Sequence, residues 1–136
     1  MPEQVRLTAD GQRALREAEN LCWRTNVAIE APEHLLAGAL LALGDSGTTG
    51  LPDRARIEEA LLLVCGAGSE PLHDRIVPSP TARAALDHAV RRLIEAGRNE
   101  LGAREIARGV IESGEVNPLF YSGLGIDRRT LLERIG

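Results

Sequence analysis

Glu33 and His34 are the adjacent residues whose types first invite a chemical reading. A carboxylate near a helix start can accept a guanidinium in bidentate fashion. Thr8, a hydroxyl residue at the head of another helix, can hold an anionic group together with the free N–H groups of that helix's first turn. Thr8 and Glu33 are the candidate ligand-binding residues, each for its own chemistry. The plain alternative for Glu33, which follows Pro32, is that the helix macrodipole stabilises it by about 0.3–1 kcal/mol with no ligand involved.

His34 beside Glu33 suggests acid–base catalysis. Neighbouring helical residues do not face one another, and no Ser or Cys stands at a spacing that would supply a nucleophile. A hydrogen-bonded structural histidine is the expectation, and no catalytic residue is assigned. His73 and His88 have no ligand-spaced partners, so no metal is expected. Cys22 and Cys65 form neither a CxxC pair nor a disulfide framework, and Cys22, on an apolar helical face, is expected to be buried as a small hydrophobe. Trp23, Phe120 and Tyr121, the three aromatic residues, either form an exposed recognition patch or fill the core.

All sixteen basic residues are arginine. A chain without lysine carries no P-loop and forms no Schiff base, so no cofactor is expected and the chain is read as not an enzyme. The net charge of −4 gives no broad attraction to nucleic acid or anionic lipid. The N-terminal stretch lacks an apolar core segment, and the longest apolar run, Leu35 to Leu43, falls well short of the roughly 20 residues needed to span a bilayer. A soluble, cytoplasmic protein is expected.

With 136 residues, of which 43% are hydrophobic and 26% charged, the chain has the balance of one globular domain. With so few aromatics its core must come from Leu, Ile, Val and Ala, which favours an all-α fold. The sequence aligns with itself at an offset of 71 residues: Thr8 with Ser79, Ala14 with Ala85, Ala18 with Ala89, Cys22 with Leu93, Leu35 with Ile106, Gly38 with Gly109. Beyond that the offset becomes 74, pairing Asp53 with Asp127 and Ile57 with Leu131. Each copy reads as helix, loop, helix, irregular segment, helix. The first helices open at Thr8 and at Ser79 with Pro80 behind it; the second start near Pro32 and Gly102; the last are capped by Asp53 and Asp127. Asp45 to Leu51 reads as coil, and Asn117 to Tyr121 as one short helical turn. Copy one spans about 7–65, a linker about 66–78, and copy two about 79–136. Half of such a repeat cannot close its own apolar stripe, so a single monomeric domain with a pseudo-twofold axis and no β-sheet is expected.

LTADGQRALREAENL followed by APEHLLAGAL, repeated as SPTARAALDHA, LGAREIARGVI and GLGID, resembles the doubled Clp N-terminal repeat of Clp/Hsp100 unfoldases, here without the ATPase modules. The resemblance covers the chain from about Leu7 to Gly136. It implies two helical repeats in an orthogonal bundle that dock adaptors, substrate segments or degradation tags. In some such domains the matching Thr and Glu bind phosphoarginine, which the resemblance places on Thr8 and Glu33. The family's GTEH appears as Ala31-Pro32-Glu33-His34 in copy one and Gly102-Ala103-Arg104-Glu105 in copy two. Ser79 and Arg104 thus make a degenerate second site, in which Arg104 repels a guanidinium but suits a phosphate or carboxylate directly. The segment after Gly44 is too short for the family's third helix. Protein partners are expected: Clp adaptors, substrates or unfoldase subunits. The alternative of a different class is a small helical DNA-binding regulator, against which stand the net charge and the absence of a clustered basic recognition helix.

Overall fold

Side-chain caps set the helix starts. In the computed structural model, which describes residues 4–136, α1 (Ala9–Thr25) begins where the Thr8 hydroxyl accepts a hydrogen bond from the Gly11 N–H at 3.1 Å. It ends at Asn26, whose φ of 57° lets the chain turn back. A two-residue strand, β1 (Arg6–Leu7), precedes it, and β2 (Ile29–Glu30) follows. Next come α2 (Pro32–Asp45) and α3 (Arg54–Cys65), the latter capped by Asp53. Copy two repeats the order as β3 (Val77–Pro78), α4 (Pro80–Glu95) capped by Ser79, β4 (Glu100–Leu101) and α5 (Ala103–Glu112). It then adds α6 (Pro118–Leu124) before α7 (Arg128–Ile135), which Asp127 caps.

Two glycines let the helices of each copy come together. Gly38 of α2 lies on Ala14 and Ala18 of α1, and Gly109 of α5 lies on Ala89 of α4. A side chain at either would drive into the backbone opposite, which is why small residues recur there. The equivalence extends to the helix ends: Val27 N–H bonds to Cys22 O and Arg98 N–H to Leu93 O, each at 3.0 Å, with Gly97 at φ 71° where Asn26 stands in copy one. The two copies share one core, with α2 packed against α5 and α3 against α6 at its centre. Ala14, Ala18, Leu36, Leu40, Ile57, Ala85, Ile106, Val110, Phe120 and Leu131 are all buried in it.

The all-α expectation holds with one correction, since β-structure was expected to be absent. β1 pairs in parallel with β4 (Arg6 opposite Glu100, Leu7 opposite Leu101), and β2 with β3 (Ile29 opposite Val77, Glu30 opposite Pro78). Each pair joins one copy to the other, and each is the chain entering a helix beside the chain entering another. Runs of two residues carry no period that a sequence reading could detect. The stretch read as a single turn after Asn117 is the seven-residue helix α6. Its counterpart in copy one, residues 46–53, carries no helix.

Candidate functional site

The strand pairs decide which residues meet, and they bring together helix starts from different copies. Thr8 lies beside the start of α5: its backbone N–H bonds to Leu101 O at 3.1 Å, and its hydroxyl donates to Asp10. Asp10 Oδ1 accepts the Ala103 N–H at 3.2 Å, while Glu105 Oε1 accepts the Gly102 N–H at 3.0 Å. Glu105 Oε2 is held in turn by Arg98 at 3.0 Å. Asp10 thus takes the Thr8 hydroxyl, and Asp10 and Glu105 take the first N–H groups at the start of α5.

Ser79 sits at the equivalent junction with α2. Its N–H bonds to Glu30 O at 2.8 Å, and its hydroxyl accepts from Ala82 N–H and lies 3.0 Å from the Thr81 hydroxyl. His34 serves as a cap here, Nδ1 accepting the Ala31 N–H at 2.9 Å from a side chain that is almost wholly buried. Burial pushes His34 down to about 4, which keeps the imidazole neutral and able to accept. Burial, together with the nearby Glu19 carboxylate, pushes Glu30 up to about 7.

Glu33 is 5% exposed and turned inward. Its Oε2 accepts the Asn117 N–H at 2.7 Å, at the head of α6, and its Oε1 lies 3.9 Å from the Cys65 thiol. Thr8 and Glu33 do not form a joint site. Gly38 packs at Ala18 in an antiparallel hairpin, ten residues from Thr8 on one helix and five from Glu33 on the other. At 1.5 Å per residue the two lie about 20 Å apart, at opposite ends. The same count separates Ser79 from Arg104 through the Ala89 and Gly109 contact, so the degenerate second site is likewise not assembled. A within-copy pairing looks natural in one dimension, but the strands pair each cap with the other copy.

Arg104 lies on the exposed side of α5. It lines a cleft of about 250 Å³ with Arg92, Arg98 and Arg108, floored by Ala89, Leu93 and Ala96 and closed at one edge by Glu105 and Gly136. The grouping was missed in the sequence, where only Arg104 and Arg108, one helical turn apart, show that they share a face.

The aromatic residues do not make a common patch. Phe120 and Tyr121 are buried, and Trp23 is 40% exposed. Cys22 is buried, and Cys65 is partly so. Burial pushes both thiols up to about 12, Cys65 with help from Glu33, so neither is a nucleophile at neutral pH. Among the described residues no group of His, Cys, Asp or Glu is arranged to hold a metal ion, and no helix is long and apolar enough to cross a membrane.

These features define a doubled helical module in which Thr8, Glu33, His34, Ser79 and Glu105 each bond to a helix start. Its fold is that of the Clp N-terminal domains. It superposes on the N-terminal domain of the caseinolytic protease associated chaperone ClpD from Arabidopsis thaliana with a TM-score of 0.73 at 17% identity, covering 96% of this chain and 94% of that one. The Hsp104 N-terminal domain from Candida albicans aligns with a TM-score of 0.68 at 16% identity, covering 95% of this chain and 88% of that one. No protein-family model matches the chain, and no curated protein sequence does.

Proposed function

We propose that this chain is a non-catalytic protein-binding module that recognises adaptors or substrate segments in Clp-type protein quality control. The observation that carries the reading is the end-to-end match of both copies to N-terminal domains of ClpD and Hsp104. A surface suited to polypeptide supports it. Leu62 and Leu63 of α3 are 50% and 65% exposed, and Leu119 of α6 is 57% exposed. Leu119 stands one helical turn before Gly123, which lies against Ala60 and Leu63. These exposed leucines belong to both copies, Leu62 and Leu63 to the first and Leu119 to the second, and exposed apolar side chains of this kind suit contact with another polypeptide.

The reading does not extend to phosphoarginine held jointly by Thr8 and Glu33. That tag needs a phosphate seat and a guanidinium acceptor a few ångströms apart, whereas Thr8 and Glu33 lie at opposite ends of the α1–α2 hairpin and Glu33 is bonded to Asn117.

Trp23, the single tryptophan, provides the readout. Titration with a permanently unfolded, reduced and carboxymethylated polypeptide is expected to give saturable binding by Trp23 fluorescence and anisotropy, weakened by Leu63→Asp. ATP and peptides should remain uncleaved. Absence of saturable binding, or retention on generic duplex DNA at low salt in its place, would contradict the proposal and favour the DNA-binding regulator.

A further inference from the structure

The groove between α4 and α5 is equivalent, residue by residue, to the groove between α1 and α2, but the two are finished differently. At the offset of 71 residues, Arg92, Arg98, Arg104 and Arg108 stand where copy one has Leu21, Val27, Glu33 and Ala37. At this position Cys65, at the end of α3, and Asn117, at the head of α6, both meet Glu33 in copy one, the Asn117 N–H binding it at 2.7 Å. Segment 46–53 of copy one crosses α7, with Gly50 against Arg134 as Gly123 lies against Ala60 of α3, and the Gly50 carbonyl accepts from Arg134 at 2.6 Å. In copy two the matching positions line a cleft.

Its charge is unbalanced. Arg92 and Arg108 share Glu112, at 2.9 and 3.3 Å, and Arg98 holds Glu105. Arg108 also donates to the Gly136 backbone oxygen at 3.0 Å. Arg104 has no ion pair or hydrogen bond among the described residues. Four guanidinium groups thus face two side-chain carboxylates, and the unpaired one lines a cleft of about 250 Å³ with an apolar floor. That volume takes one amino-acid side chain ending in a planar or tetrahedral oxyanion, for which arginine's forked donors are suited.

We infer that this cleft receives a phosphoryl or carboxylate group displayed on a protein segment, gripped first by Arg104 with Arg98 and Arg108 flanking it. The inference rests on the protein-binding reading, and an arm with inorganic phosphate tests the cleft without it. Calorimetric titrations would use inorganic phosphate, a phosphoserine peptide, the same peptide with glutamate in place of phosphoserine, and the unmodified serine peptide. The phosphoserine peptide is expected to bind at one site, to weaken with added salt, and to lose about tenfold or more in affinity in Arg104→Ala. Arg104→Glu should abolish binding. Arg13→Ala, on α1 and away from the cleft, should leave it unchanged. If the glutamate peptide binds as well as the phosphoserine peptide, the carboxylate is the source; if only the phosphoserine peptide binds, the phosphoryl group is. Phosphate binding that depends on Arg104 with no peptide binding would overturn the protein-borne ligand while keeping the oxyanion seat. No Arg104-dependent binding of either would overturn the inference as a whole, including in the event that the module binds unfolded polypeptide at its exposed leucines.

Discussion

The hairpin of α1 and α2 and the hairpin of α4 and α5 share a backbone plan, yet the side chains along their rims differ in charge and burial. In copy one the position facing the hairpin holds Leu21, Val27, Ala37 and a buried Glu33 tied to α6. In copy two it holds four arginines around a cleft. The contact that makes the fold, a glycine of one helix on an alanine of the next, is retained in both. The rim has diverged in side-chain type: Glu33 is buried between Cys65 of α3 and Asn117 of α6, whereas Arg104 is exposed and has no partner among the described residues. A duplicated fold can thus keep its packing under constraint while the residues at its rim take on different chemistry.

The largest effect should come from breaking what the copies share. Gly38→Leu and Gly109→Leu each force a side chain into the backbone of the neighbouring helix, and each should cost about 3 kcal/mol or more, read by denaturant unfolding. Near-equal losses would confirm the pseudo-twofold; a tolerated change in one copy alone would break it.

A smaller effect separates the rims. Glu33→Ala strips the Asn117 N–H of its partner and should cost about 1–3 kcal/mol. Arg104→Ala, at the matching position in copy two, should stay within about 0.5 kcal/mol. Equal costs at the two positions would erase the distinction between a buried, bonded Glu33 and an exposed Arg104.

A third difference concerns pH. Glu30 stands where copy two has the buried Leu101. A carboxyl raised from 4.5 to about 7 favours the folded state when protonated. Its contribution is complete below about 4.5 and is lost as pH rises through 7. His34 runs the opposite way: lowered from 6.5 to about 4, it contributes stability above 6.5 that is lost as pH falls toward 4. Glu30→Gln should therefore raise Tm at pH 8 and leave it nearly unchanged at pH 4. A rise of the same size at both would show that burial of the charge is not the cause.

Much of this fold was legible because its signals are local. Thr8, Ser79, Asp53 and Asp127 each cap the helix that their types and positions announce, and the offset of 71 residues was carried by small residues at Gly38 and Gly109 that packing demands. The site was less legible because it depends on which helix starts become neighbours. That is decided by two-residue strand pairs too short to show a period, so Thr8 was matched with Glu33 in its own copy when its neighbours are Gly102 and Ala103 of the other. Glu33 itself reads as a surface first-turn carboxylate; it is buried by Cys65 at the end of α3 and by Asn117, 84 residues further along the chain at the head of α6. The arginine cleft joins residues of α4 and α5 with the loop between them, and only Arg104 and Arg108 advertise a common face.

The claim that the copies differ in the chemistry of their rims is tested most directly by NMR, following backbone amides and arginine Nε–H signals while inorganic phosphate is titrated at low salt. The account predicts saturating shifts at Arg98, Arg104 and Arg108, with Ala31 to His34, Asn117 and the Thr8 cap undisturbed. Shifts of equal size in both grooves, or shifts centred on Thr8 and Glu33, would contradict it.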